Sequence, residues 1–136
     1  MTSKPGSVTS LKQLINQVPT SSELATVLLD LNREKTERAW AITLAALLDA
    51  ALESAICTKL TPGISGKDVD ALFKGRGILS TFSAKIEIAY VLGLIGPETR
   101  SDIDCTREVR NAFAHAKGII SFNTKEVATV CARLKF

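Results

Sequence analysis

The segment from about Glu37 to Leu60 constrains the fold more than any other part of the chain. Its stretch from Trp40 to Leu48 is apolar nearly all round, and no alternation of period two runs through it. A helix with apolar side chains on almost every face has to be covered on most sides, which places it at the centre of a helical bundle. Thr61-Pro62-Gly63 ends it.

Shorter helical patterns surround this segment. Val8 to Val18 carries Leu11, Leu14, Ile15 and Val18 at helical spacing and stops at Pro19. Thr20-Ser21-Ser22-Glu23 reads as an N-cap cluster before a helix from about Ser22 to Arg33. A short helix is predicted over Lys67 to Phe73, followed by a loop at Lys74-Gly75-Arg76-Gly77. Ser80 and Thr81 cap a helix from about Thr81 to Ile95, which Gly96-Pro97 closes. A further helix spans about Glu98 to Ala116. Ile119 to Phe122 reads as extended, and Asn123 or Thr124 caps a last helix to about Leu134. The expected fold class is therefore all-α, a single-domain bundle of about five to seven helices. Residues 1–9 form a flexible tail and residues 10–136 the helical domain.

A chain of 136 residues buries roughly two-thirds of its unfolded surface, enough for a core without staples. Three widely spaced cysteines, Cys57, Cys105 and Cys131, have neither zinc-ligand nor redox-motif spacing. With one histidine in the chain, neither a metal site nor a cofactor is expected, and the cysteines read as reduced, buried thiols. The first ten residues are polar and lack an apolar leader core. The longest uncharged runs, Ala39 to Leu48 among them, are ten residues and too short to cross a bilayer. The expectation is a cytoplasmic protein with no membrane partner.

The formal net charge is only +3. Residues 1–66 carry six basic and six acidic side chains, and residues 67–136 carry eleven and eight, so the excess sits in the second half. That bias permits contact with nucleic acid but is far from the dense basic footprint of a DNA-binding domain. No pair of helices has a helix-turn-helix signature.

Two stretches carry a resemblance. One runs Leu72-Phe73-Lys74-Gly75-Arg76-Gly77-Ile78-Leu79-Ser80-Thr81-Phe82-Ser83-Ala84-Lys85-Ile86 and continues with Ala89-Tyr90-Val91-Leu92-Gly93-Leu94-Ile95. The other is Arg107-Glu108-Val109-Arg110-Asn111-Ala112-Phe113-Ala114-His115. Together they resemble the mannitol operon repressor family, and residues 37–60, with Leu48-Asp49 and Leu52-Glu53, fit it more loosely. The chain departs from the family at Val109, where Ile is usual, and at Ala112, where a polar or acidic residue is common. The resemblance implies an all-helical transcription-related regulator, acting through protein contacts or unconventional DNA contact. A more distant resemblance, through Arg110 to His115 as R-x4-H, is to HEPN domains, helical bundles that include metal-independent ribonucleases. A non-catalytic helical adaptor is the third reading.

In a ribonuclease, His115 would act on the 2′-hydroxyl or the leaving oxygen, Arg110 would stabilise the phosphate, and Asn111 would be the polar residue after the arginine. Five positions place Arg110 and His115 about 140° apart on one helix. A composite cleft, such as one completed by a second subunit in a homodimer, would be needed. The alternative is that His115 simply ends the helix against its dipole. Asp104, Glu108, Asn111 and His115 form a stripe, which a solvated face would also produce. A candidate site for an anion or an acidic partner comprises Arg76, Ser80, Thr81, Arg107 and Arg110. Arg100 lies on the same side of the helix as Arg107 and Arg110, and structural ion pairs are the competing reading for all three. Asp49, inside the apolar segment, needs a partner, and the expected one is an arginine such as Arg110. Trp40, Phe82, Tyr90 and Phe113 are expected in the core.

Overall fold

The computed structural model describes Leu11, residues 19–34 and residues 36–135. The described residues form six helices and no strand. These are α1 (Ser21–Glu34), α2 (Glu37–Cys57), α3 (Gly66–Phe73), α4 (Phe82–Val91), α5 (Pro97–His115) and α6 (Lys125–Cys131). The protein is all-α, as its periodicity predicts. The helix expected over Val8 to Val18 and the tail at 1–9 lie outside the described residues.

Packing divides the chain into residues 1–33 and residues 34–136. In the first unit, α1 opens on a capping box. Thr20 Oγ1 accepts from the Glu23 backbone N–H at 3.3 Å, and the Thr20 N–H donates to Glu23 Oε2 at 3.2 Å.

In the second unit, α2 packs against α4 and α5, α4 against α5, and α5 against α6. Two apolar clusters result, and both α2 and α5 contribute to each. Leu52, Ile56, Phe73, Phe82, Ile86 and Ile103 build the larger one. Ala41, Val109, Phe113 and Val127 build the smaller, where the Phe113 and Phe122 rings meet edge to face at 5.2 Å. By length and composition α2 would also suffice to cross a membrane. The ten-residue uncharged run understates it, because Asp49 and Glu53 are the only charges in its apolar stretch. In this unit α2 gives Ala41, Ala45, Leu52 and Ile56 to the core, while most of its apolar stretch is not buried. Phe82 and Phe113 are buried as expected and Trp40 is half-buried.

Three boundaries differ from those predicted. Helix α4 stops at Val91 rather than Ile95, because Gly93 takes φ +73°. The Leu94 N–H then donates to the Ala89 carbonyl and the Gly93 N–H to that of Tyr90, a Schellman closure that an internal glycine permits. Helix α2 ends at Cys57, and α6 at Cys131. Residues 119–122 form no strand. Thr124 does precede α6, but its hydroxyl accepts from the Ser121 N–H and not from the helix.

The Gly75-Arg76-Gly77 loop has a steric cause. Gly75 adopts φ +60°. At Gly77 a Cβ would stand 2.2 Å from the Leu72 carbonyl oxygen, at the end of α3, where the Leu79 N–H also docks at 2.8 Å. Gly77→Ala is therefore expected to lower stability by about 1–3 kcal/mol, since backbone must move. Gly118→Ala, with open space around it, is expected to be near neutral. Thermal or urea melts of the two variants compare them directly.

Candidate functional site

Among the described residues, the buried charged side chain is Lys85, on the core side of α4 and 4% exposed. Phe82, Ile86 and Ala89 of the same helix are buried as well. The Lys85 ammonium stands 2.9 Å from Asp49 Oδ1 and 3.4 Å from Glu53 Oε2, one turn apart on α2, and 5.9 Å from the Phe73 ring centroid. Asp49 Oδ1 lies close as an ion pair but off the angle of a hydrogen bond. The expectation for Asp49 is thus corrected: it has an internal cation, but the cation is Lys85 and not Arg110. A lysine reaches it because α4 lies directly against α2, whereas Arg110 is engaged elsewhere. Sequence reasoning missed Lys85, although its spacing from Phe82 and Ala89 already put it on the buried stripe. Lys85→Met is expected to cost roughly 2 kcal/mol, less than the ~3–5 kcal/mol of breaking a fully buried pair, because Asp49 and Glu53 keep a third of their side-chain surface in water. A urea titration reads this.

Of the ribonuclease candidates, Arg110 and Asn111 are joined by a hydrogen bond, and His115 closes the same helix. Arg110 is half-buried, its Nε donates to Asn111 Oδ1 at 2.8 Å, and its guanidinium lies 5.6 Å from the Phe82 ring centroid. The arginine therefore bolts α5 to the start of α4. His115 is exposed in the last turn of α5, where a cation complements the helix dipole. His115→Ala is expected to shift stability by less than about 0.5 kcal/mol, as for a surface position without internal partners. A melt of this variant beside Arg110→Ala, expected to be the more destabilised, separates the two roles.

Of the anion-site candidates, Arg110 comes to the start of the helix that Thr81 caps, through its contact with Phe82. Thr81 Oγ1 caps α4 by accepting from the Ala84 N–H at 3.1 Å, Ser80 is half-buried, and Arg76 is exposed on its loop. Arg107 instead lines an open cleft of about 400 Å³ along α5, and Arg76, Ser80, Thr81 and Arg110 do not.

That cleft brings an aromatic ring and several charged side chains together. Tyr90, Arg100, Asp104, Arg107, Glu108 and Arg133 line it. Tyr90 is not in the core as expected. It is exposed at the end of α4, and the Arg100 guanidinium lies 4.5 Å from its ring centroid. Each arginine has a carboxylate beside it: Glu87 for Arg100, Asp104 at 3.5 Å for Arg107, and Glu108 at 2.8 Å for Arg133. Arg107 Nε is buried and makes no hydrogen bond, so its pairing is purely electrostatic. The Arg133–Glu108 pair and the Lys135 N–H on Asp102 Oδ1 at 3.0 Å strap the C-terminal segment to α5. Next to the cleft, Val91 is 72% and Leu92 42% exposed.

An apolar groove of about 190 Å³ lies between α2, α5 and the C-terminal segment, with Leu44, Val109 and Phe122 among its walls. The thiol of Cys105, which lines both hollows, is pushed up, by burial first, with Arg133 opposing and nearby carboxylates adding. Burial, then Glu53, raises that of Cys57. Neither is a ready thiolate nucleophile at neutral pH. Among the described residues no cluster of potential metal ligands forms.

In comparisons with known proteins, no family model, no curated protein and no solved structure matches the chain.

Proposed function

We propose that this chain is a transcription-related regulator of the mannitol operon repressor type that works in the cytoplasm through protein contacts. One observation carries the protein-contact reading. Tyr90 and three arginines gather in one cleft, beside the exposed apolar pair Val91 and Leu92. Tyrosine and arginine in a part-desolvated hollow with an apolar margin is the composition of interface hot spots. The Tyr90 to Ile95 stretch is also part of what carries the family resemblance. Charge points away from nucleic acid as the principal partner, because the arginines of this cleft are matched by carboxylates and offer little net field to a phosphate backbone.

Deleting the gene should change transcript levels of neighbouring sugar-uptake genes under at least one carbon source. Restoring the wild-type gene should reverse the change, and restoring a Tyr90→Ala, Arg100→Ala variant should not. A hot-spot loss on the order of 2 kcal/mol weakens a contact roughly thirtyfold. Unaltered transcripts under every carbon source would contradict the regulatory reading.

A further inference from the structure

We propose that the apolar groove between α2, α5 and the C-terminal segment is a binding site for a small, neutral, apolar molecule about the size of one aromatic ring. This site is separate from the arginine-lined cleft and does not rest on reading that cleft as a protein-contact surface.

The walls set the chemistry of the occupant. Ala41, Leu44, Val109, Phe122 and Leu134 contribute hydrocarbon, and no wall residue carries a charge. Two further wall residues have polar side-chain atoms, and neither presents a free donor of any strength. The Thr106 hydroxyl already donates to the Asp102 carbonyl at 2.9 Å, one turn back on α5. The Cys105 thiol stays protonated at neutral pH, since burial raises it, and a thiol is a weak hydrogen-bond partner. A charged or strongly hydrogen-bonding ligand would lose its water there and gain no adequate partner. An apolar ligand loses no such bond and buries its surface.

The volume sets the size. About 190 Å³ is below the roughly 300–1,000 Å³ of sites for drug-sized ligands. It is slightly above the cavity of about 150 Å³ that stays dry and takes up benzene when Leu, Ile and Phe line it. A helix, about 10–12 Å across with its side chains, does not fit.

The hollow is also preformed. Ala41 belongs to the same apolar cluster as Val109 and Phe113 and ends at its Cβ, which leaves space beside them. Phe122 is held edge to face against Phe113 at 5.2 Å. The C-terminal wall is tied on both sides of Leu134, by the Arg133–Glu108 pair and by the Lys135 N–H on Asp102 Oδ1. With its walls fixed in this way, the groove binds without first having to be ordered.

Benzene is the probe, titrated into the full chain up to its solubility limit, with methyl and amide NMR shifts as the readout. Saturable shifts centred on Leu44, Val109 and Leu134 are expected, with a higher melting temperature in the presence of benzene. Benzoate carries the same ring with a charge and is expected to leave these signals in place. Two variants close the site in different ways. Leu44→Phe adds bulk at a half-buried wall, and Leu134→Glu puts a charge on the C-terminal wall. Each is expected to weaken benzene binding by roughly tenfold or more while the helical circular-dichroism spectrum is retained. Shifts that rise without saturating, benzoate binding at the same residues as tightly as benzene, or undiminished benzene binding in Leu134→Glu would each overturn the proposal.

Discussion

The bundle depends on how its central helix meets charge. α2 is apolar on nearly every side, yet Asp49 and Glu53 interrupt it one turn apart. Two carboxylates at the margin of a core are costly unless a cation meets them. Lys85 does so from α4, between Phe82 and Ala89, and thereby fixes which face of α4 turns to α2. Non-directional apolar contacts alone would leave the rotation of α4 loosely specified. With the ammonium clamped, Phe82 enters the core and Tyr90, at the far end of the same helix, is left at the surface. The exposure of Tyr90, on which the proposed contact face is built, is in this sense a consequence of the ion pair beneath it.

α5 serves two purposes on two sides. Ile103, Val109 and Phe113 turn inward and join the apolar clusters. Arg100, Asp104, Arg107 and Glu108 turn outward and form the cleft. Arg110 lies between them and is consumed by Asn111 and Phe82. In the R-x4-H segment the arginine packs on Phe82 and the histidine stands in the last turn of the helix.

Much of the fold was legible in the sequence, because most helix starts carry chemical markers. Thr20 with Glu23, and Thr81, each announce a start that the structure repeats within a residue or two. Helix ends were harder. Gly93 and Gly96 both qualify as stops in Leu92-Gly93-Leu94-Ile95-Gly96, and apolar residues continue between them, so only the left-handed backbone at Gly93 decides. The site was less legible. Asp49 announced a buried pair, but its partner lies 36 positions away on another helix, and pattern alone does not choose between Lys85 and Arg110. Tyr90 at the surface was missed for a related reason: an aromatic at helical spacing looks like core until the neighbouring helices define which face is covered.

On the proposed function, this domain works by touching protein and not by gripping a phosphate backbone. Fluorescence anisotropy of labelled duplex DNA and single-stranded RNA, titrated with the full chain across a range of salt concentrations, tests it most directly. Only weak, non-saturating binding at low salt is expected, vanishing at physiological ionic strength. Saturable binding at physiological salt, with an affinity that falls steeply and linearly on logarithmic axes as salt rises, would show several phosphate contacts and contradict it.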